Sequence, residues 1–271
     1  MLRYLETKDK VYNLHGKANA VAQAVDIAKG EIILTSDADC MVPPTWVDTI
    51  IKMYQKDVGC VCGFTLLKFN SLFSGMQSMD WAYLLIIASA GVGWGLPLSA
   101  VGNNMSFRKK AYNDVGGYHK VGFSVTEDFL LFKSIAYKTN WNVRYPVEPN
   151  ALVWSEPCAN WRELYLQKKR WGTGGLRIHP LGYLIMSVGF FMSVGLLIMP
   201  FFLSSYWTWI GVFAAKSAGD WILLQRPLKK LKQKKLLKYF IPFELYYIIY
   251  VTLLPFIVTL TGRVIWKERK L

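Results

Sequence analysis

The stretch from Leu181 to Leu260 constrains this chain more than any other: it is largely apolar and is broken by a single basic run. Leu181 to Leu203 holds no charged residue, and about 20 apolar residues suffice to cross the hydrocarbon core of a bilayer. Tyr206 to Leu224 is a second candidate span, interrupted by Lys216 and Asp220. On a helix that spacing puts the two on one face, where they pair inside a bundle, snorkel to the interface or line a polar cleft. Phe240 to Leu260 is the third, carrying Pro242, Glu244 and Pro255. Upstream of residue 178, polar and apolar residues mix as they do in a globular domain. The expected organisation is a globular domain over 1–178, transmembrane helices within 179–262 (181–203, 206–224 and 240–260), and a basic tail over 263–271.

A formal charge of +14 first suggests nucleic acid, but its distribution argues otherwise. The densest basic run, 226–238, lies between two apolar spans. The positive-inside rule reads it as a cytoplasmic loop beside anionic membrane lipid. No aromatic-interleaved basic groove accompanies it, so no nucleic-acid partner is expected. The cysteines Cys40, Cys60, Cys62 and Cys158 show no C-x-x-C spacing and read as free thiols, in keeping with a cytosolic globular half. The first 30 residues are polar and lack the apolar core of a secretory signal.

Chemistry concentrates first at residues 31–40, Glu-Ile-Ile-Leu-Thr-Ser-Asp-Ala-Asp-Cys. Ile32-Ile33-Leu34 reads as a short buried strand ending in Asp37 and Asp39. Alternate residues of an extended chain point to opposite sides, so a turn beginning at Asp37 is needed before both carboxylates can serve one ion. Hard oxygen ligands suit Mg2+ or Mn2+, ions that keep waters and bridge to substrate phosphates. Read alone, such a pair is more often a turn cap at Asp37 and a helix cap at Asp39 than a metal site.

A helical pattern over Ala18–Ala28, stopped by Gly30, leads into this strand; an amphipathic helix follows near Trp46–Tyr54 and a strand over Val58–Phe64. The alternation predicts an α/β sheet with parallel members. Residues 81–101 carry no charge, yet a crossing there would part Asp37 and Asp39 from the acids at 127–128; the expectation is an apolar helix and glycine-rich turn at the membrane surface. A polar turn, Gly102-Asn103-Asn104, runs into another strand. Thr126 is a helix N-cap candidate with Glu127 and Asp128 in the first turn, where the helix dipole favours negative charge. Serving as a base would require burial or a neighbouring acid to hold such a carboxylate ready for a proton. In Trp161–Trp171, Gln167, Arg170 and Trp171 share one helix face while Lys168 and Lys169 point to solvent or headgroups. A stacking ring, a guanidinium and an amide suit a sugar and a pyrophosphate; a basic amphipathic interface helix has the same composition.

The order of these signals decides more than any one of them. D-A-D at 37–39, T-E-D at 126–128 and Q-K-K-R-W at 167–171, followed by apolar helices, resembles the family 2 membrane glycosyltransferases, the group of cellulose, hyaluronan and poly-N-acetylglucosamine synthases. G-K-A-N-A at 16–20 and G-N-N-x-x-F-R at 102–108 look like the same family's nucleotide-sugar domain. The resemblance implies a GT-A type α/β domain and an inverting transfer of sugar from a nucleotide-sugar, such as a UDP-sugar, to a lipid or glycan acceptor at the cytoplasmic face of the inner membrane. It implies Asp37 and Asp39 as holders of Mg2+ or Mn2+ and the donor diphosphate, Asp128 as general base with Glu127 beside it, and Lys17, Asn103, Asn104, Gln167, Arg170 and Trp171 in donor and acceptor binding. The family's domain opens with two strands and an early acidic motif that do not match here, so an incomplete domain is expected, one that binds UDP poorly alone and needs a separate N-terminal polypeptide or synthase partner.

Overall fold

A computed structural model of the chain describes residues 4–7, 14, 16–122, 124, 126–175, 178–202, 206–260, 265–266 and 269–270. In chain order the elements begin with α1 (Gly16–Ile27), β1 (Ile32–Thr35), α2 (Trp46–Ile51), β2 (Val58–Cys62), β3 (Thr65–Leu67) and α3 (Leu72–Gly93). Next come β4 (Met105–Arg108), α4 (Lys109–Asp114), α5 (Gly117–Val121), α6 (Glu127–Lys138), β5 (Asn142–Arg144) and β6 (Val153–Ser155). Four long helices follow: α7 (Trp161–Gly175), α8 (Pro180–Ile198), α9 (Tyr206–Lys230) and α10 (Phe240–Leu260). Two compact units result, Met1–Phe64 with Ala88–Val153, and Thr65–Ile87 with Trp154–Leu271.

The first unit is built on a four-stranded sheet in the order β1-β4-β2-β5. β4 runs antiparallel to both neighbours, pairing Ile33 with Phe107 on one side and Val61 with Ser106 on the other. Within this sheet β2 and β5 run parallel. The expectation of parallel members therefore holds for one pair of this sheet. The strand that separates β1 from β2 enters from the turn at 102–104, long after both in sequence, and comes in reversed. Every residue of β2 is buried. Against it, α2 packs Trp46 and Ile50 together with Val58, Val61, Ala151 and Val153; burying a side chain such as Ile50 stabilises by about 1.5–3 kcal/mol. α1 turns Ala18, Ala22 and Val25 inward at the spacing of one helical face. β1, by contrast, is the end strand, and all four of its residues are only half-buried although three are aliphatic.

In the second unit β3 pairs with β6, and α3 contributes its turns through Ile87. Gln77, Ser78 and Asp80 of α3 are buried beside Met79, Ala82 and Leu85, so the helix is enclosed by protein at those positions. The expected surface helix over 81–101 thus begins earlier, at Leu72, and ends at Gly93. Among the described residues two helical stretches are long and apolar enough to cross a membrane, Pro180–Phe201 and Lys234–Leu260. The middle expected span, 206–224, lies within α9, which is long enough but not of that apolar character. Its Lys216 and Asp220 do pair, at 2.8 Å, and the cluster is larger than the sequence suggests. Lys216 also meets Glu244 of α10 at 2.6 Å, Ser217 donates to Glu244 at 3.2 Å, and Tyr83 of α3 donates to Asp220 at 2.9 Å. Three helices are tied together by polar groups in otherwise apolar surroundings. The basic tail lies outside the described residues except at 265–266 and 269–270.

Candidate active site

A turn follows β1 at Asp37, where one is expected. The Cys40 amide donates to the Asp37 carbonyl at 3.0 Å, closing a tight turn over Asp37–Cys40. Asp37 is half-buried and Asp39 exposed. Asp37 Oδ1 accepts from the Lys17 ammonium at the start of α1. Burial pulls Lys17 towards neutrality, but the hydrogen bond and charge of Asp37, with the charges of Asp128 and Glu127, outweigh it and hold its pKa above the usual lysine value. One ammonium thus senses three of the predicted acids at once.

Asp128 reaches this place through a contact without sequence signature. The Gly102 amide donates to Asp128 Oδ2, and the Phe129 amide donates to Oδ1 at 2.8 Å. A Cβ at position 102 would lie 2.6 Å from both Cβ and Oδ2 of Asp128, so only glycine lets the carboxylate settle there. The same turn is tied to β1, because the Thr35 hydroxyl lies 3.0 Å from the Gly102 carbonyl and 2.9 Å from that of Met105. Thr35, two residues before Asp37, and Asp128 thus both bond the backbone of Gly102. Thr126 occupies the N-cap of α6 but its hydroxyl makes no capping bond. Burial raises the phenol pKa values of Tyr118 and Tyr145, and the charge of Asp128 adds to the effect.

Asn104 is held by three side-chain hydrogen bonds. Its amide donates to the carbonyls of Phe64 at 2.8 Å and Ala151 at 2.9 Å, and its oxygen accepts from Trp46 Nε1 at 2.9 Å. Both N–H groups are spent inside the core, so the side chain is a strut between β-segments and α2. Asn103 is buried beside it.

In the second unit, α7 carries Gln167, Arg170 and Trp171, all half-buried. The expectation that Lys168 and Lys169 face solvent is overturned, since both are buried more deeply than the three residues proposed to bind. Lys168 is paired with Asp80 of α3, a partner far away in sequence that neutralises its charge, and its ammonium lies 4.9 Å from the centre of the Trp171 ring and 4.6 Å from that of Tyr250. The Trp171 ring also meets Trp81 edge-on at 4.7 Å. Behind it, a Cβ on Gly172 would come within 2.6 Å of Val258 of α10, so glycine allows α7 and α10 their close approach.

Among the described residues no three His, Cys, Asp or Glu side chains gather as a metal cage. Asp37 and Asp39 offer hard carboxylate oxygens, and the Lys17 bond engages Asp37 through Oδ1. That donor set fits an ion taking its other ligands from a diphosphate and water.

The profile of glycosyl transferase family group 2 matches residues 32–261, from β1 to beyond the end of α10. The chain belongs to this family. Three relatives show how the group 2 similarity is distributed. Poly-beta-1,6-N-acetyl-D-glucosamine synthase of Staphylococcus epidermidis is 24% identical over 164 residues, covering 59% of this chain and 39% of the relative. The synthase of the same name from Staphylococcus aureus is 27% identical over 164 residues, with the same coverage. A probable glycosyltransferase of Sulfolobus acidocaldarius is 24% identical over 181 residues, covering 63% of this chain and 37% of the relative. The chain thus spans less than two fifths of the length of these relatives.

Proposed function

We propose that this chain catalyses inverting transfer of a sugar from a nucleotide-sugar, a UDP-sugar in the first instance, to a lipid or glycan acceptor at the cytoplasmic face of the inner membrane. The observation that carries the reading is the arrangement in the first unit: Lys17 bonded to Asp37 and facing the charges of Asp128 and Glu127, with Asp128 held on the Gly102 amide. An anion-binding ammonium next to an anchored carboxylate is what a diphosphate leaving group and a hydroxyl nucleophile require.

In this mechanism Asp128 accepts the proton of the acceptor hydroxyl. The acceptor oxygen forms its bond to the anomeric carbon as the bond from that carbon to the donor phosphate oxygen breaks, and the nucleoside diphosphate departs with the electron pair. Attack from the opposite face inverts the anomeric configuration. Lys17 stabilises charge developing on the diphosphate, and Glu127 tunes the field at Asp128. Mg2+ or Mn2+ would be held by Asp37 and Asp39 and, when bound, supplies further neutralisation of the diphosphate. Gln167, Arg170 and Trp171 are assigned to the acceptor end and the pyrophosphate, where guanidinium and ring have the appropriate chemistry. α8 and α10 are assigned to the membrane.

A second reading is favoured by the sheet itself. β1 is an end strand whose aliphatic residues are half-exposed, and such an edge is a template for further strands. On this reading the chain completes its donor site only with another polypeptide paired along β1. Calorimetry with UDP separates the two: binding by this chain alone supports the first, and binding that appears only with an added N-terminal polypeptide supports the second. Transfer from radiolabelled nucleotide-sugars by membranes carrying the chain, lost in Asp128→Asn, tests the shared core of both.

A further inference from the structure

The run 226–238 is a folded turn with all its cations on the outside. α9 continues through Pro227 to Lys230 and ends where the Leu231 amide donates to the Pro227 carbonyl at 2.8 Å and the Gln233 amide to that of Leu228 at 2.8 Å. Lys232 takes the left-handed conformation, φ 60°, that reverses the chain at this helix end. A 3-10 turn over Lys234–Tyr239 then delivers the chain into α10. Leu224, Leu228, Leu231 and Leu236 are fully buried and fix this backbone from within. Arg226 and the six lysines from Lys229 to Lys238 are all exposed.

No acidic residue lies between Asp220 and Glu244, and both of those are buried and committed to Lys216. None of the seven exposed cations has an ion-pair partner among the described residues. Exposed apolar side chains border the cationic turn on both sides: Trp221 and Ile222 on α9, Ile241 and Leu245 on α10. The apolar stretch Lys234–Leu260 starts inside the turn itself. Cations bounded by exposed apolar residues match a surface at the level of lipid headgroups, where anionic lipid attracts each Lys or Arg by about 1 kcal/mol. Because the backbone is already fixed, little ordering opposes that attraction.

We propose that the 226–238 turn is a seat for the phosphates of anionic phospholipid headgroups. It rests on the assignment of α8 and α10 to the membrane and is independent of sugar transfer. The test uses the full chain in non-ionic detergent, mixed with equal amounts of dioleoyl phosphatidylglycerol and dioleoyl phosphatidylcholine, with retained lipids counted by native mass spectrometry. Phosphatidylglycerol is expected to be retained over phosphatidylcholine by roughly tenfold, a preference of about 1.4 kcal/mol. Lys229→Gln, Lys230→Gln, Lys234→Gln and Lys235→Gln combined should bring the ratio to within about twofold of parity, while the same four changed to Arg should keep it. These side chains are exposed, so the variants retain the buried anchors. Absence of a preference in the unaltered chain, or its survival in the glutamine variant, overturns the proposal. So does displacement by inorganic phosphate at an ionic strength where sodium chloride leaves the lipid bound, because the seat would then be for free anions. Co-flotation with pure phosphatidylcholine vesicles checks the membrane assignment separately: a chain that floats but shows no anionic preference refutes the seat alone.

Discussion

The ammonium of Lys168 on α7 is ion-paired with the carboxylate of Asp80 on α3, and both side chains are about nine-tenths buried. The pair joins two helices of one unit and places a cation against the Trp171 ring. Removing one partner strands the other charge in the interior, which costs about 3–5 kcal/mol. Lys168→Met is expected to destabilise by that amount in denaturant titrations in detergent. Asp80→Leu combined with Lys168→Met should recover much of the loss, because the uncompensated charge is gone.

Asp128→Asn keeps a side-chain oxygen to accept from the Gly102 amide but removes the proton acceptor. Its nitrogen then faces the Phe129 amide that Oδ1 accepts from, so the expected signature is a fall in transfer of about 10²–10⁴-fold with a loss of stability of about 1–3 kcal/mol. Gly102→Ala acts on the same carboxylate from the other side. The added methyl meets Asp128 at 2.6 Å, and overpacking of this kind costs about 1–3 kcal/mol. Activity should fall with it as the carboxylate is displaced, measured as turnover alongside the unfolding midpoint.

Asn104→Leu tests the strut. The Phe64 carbonyl keeps the amide of Val153, at 3.0 Å, but Ala151 loses the Asn104 donor and Trp46 Nε1 its acceptor. Each buried group left unpaired costs about 1–3 kcal/mol. Loss of stability with the donor KM of the surviving folded protein unchanged is the expected result; a raised donor KM at full stability would return Asn104 to the binding site.

These residues also show where sequence is informative. The strand end at D-A-D, the helix start at T-E-D and the helix that carries Q-K-K-R-W were legible because they are local features. So were α1, β1, α2 and β2, each announced by periodicity or an apolar run. The roles of Lys168, Asn104 and Gly102 were not, because their partners Asp80, Phe64, Ala151 and Asp128 are distant in the chain and only the fold brings them close. The placement of β4 between β1 and β2 escaped for the same reason. Alternating helices and strands signal parallel crossovers, and nothing local announces a late strand entering reversed. Pairing of Lys216 with Asp220 is one of the readings their spacing allows, but Glu244, which completes the cluster, lies on the next helix.

Thiol chemistry gives a further check. Cys60 and Cys62 are fully buried, and burial pushes the Cys62 pKa well above the usual thiol value, with Cys60 adding to it. Cys40 is half-exposed in the Asp37–Cys40 turn. Under native conditions a maleimide should modify Cys40 well before Cys60 or Cys62. Raising the pH from about 7 to 9 should leave Cys62 unreactive, since a thiol with a raised pKa stays protonated through that window. Peptide mapping by mass spectrometry reads the order of labelling.

The most direct measurement is the stereochemistry and base dependence of transfer. Membranes carrying the chain are supplied with a panel of radiolabelled nucleotide-sugars, and the anomeric configuration of the product is read by NMR. Transfer with inversion, abolished by Asp128→Asn and retained by a chain altered only at exposed Lys52, is the predicted result. Retention of configuration, or full turnover by Asp128→Asn, would contradict the assignment of Asp128 as the base.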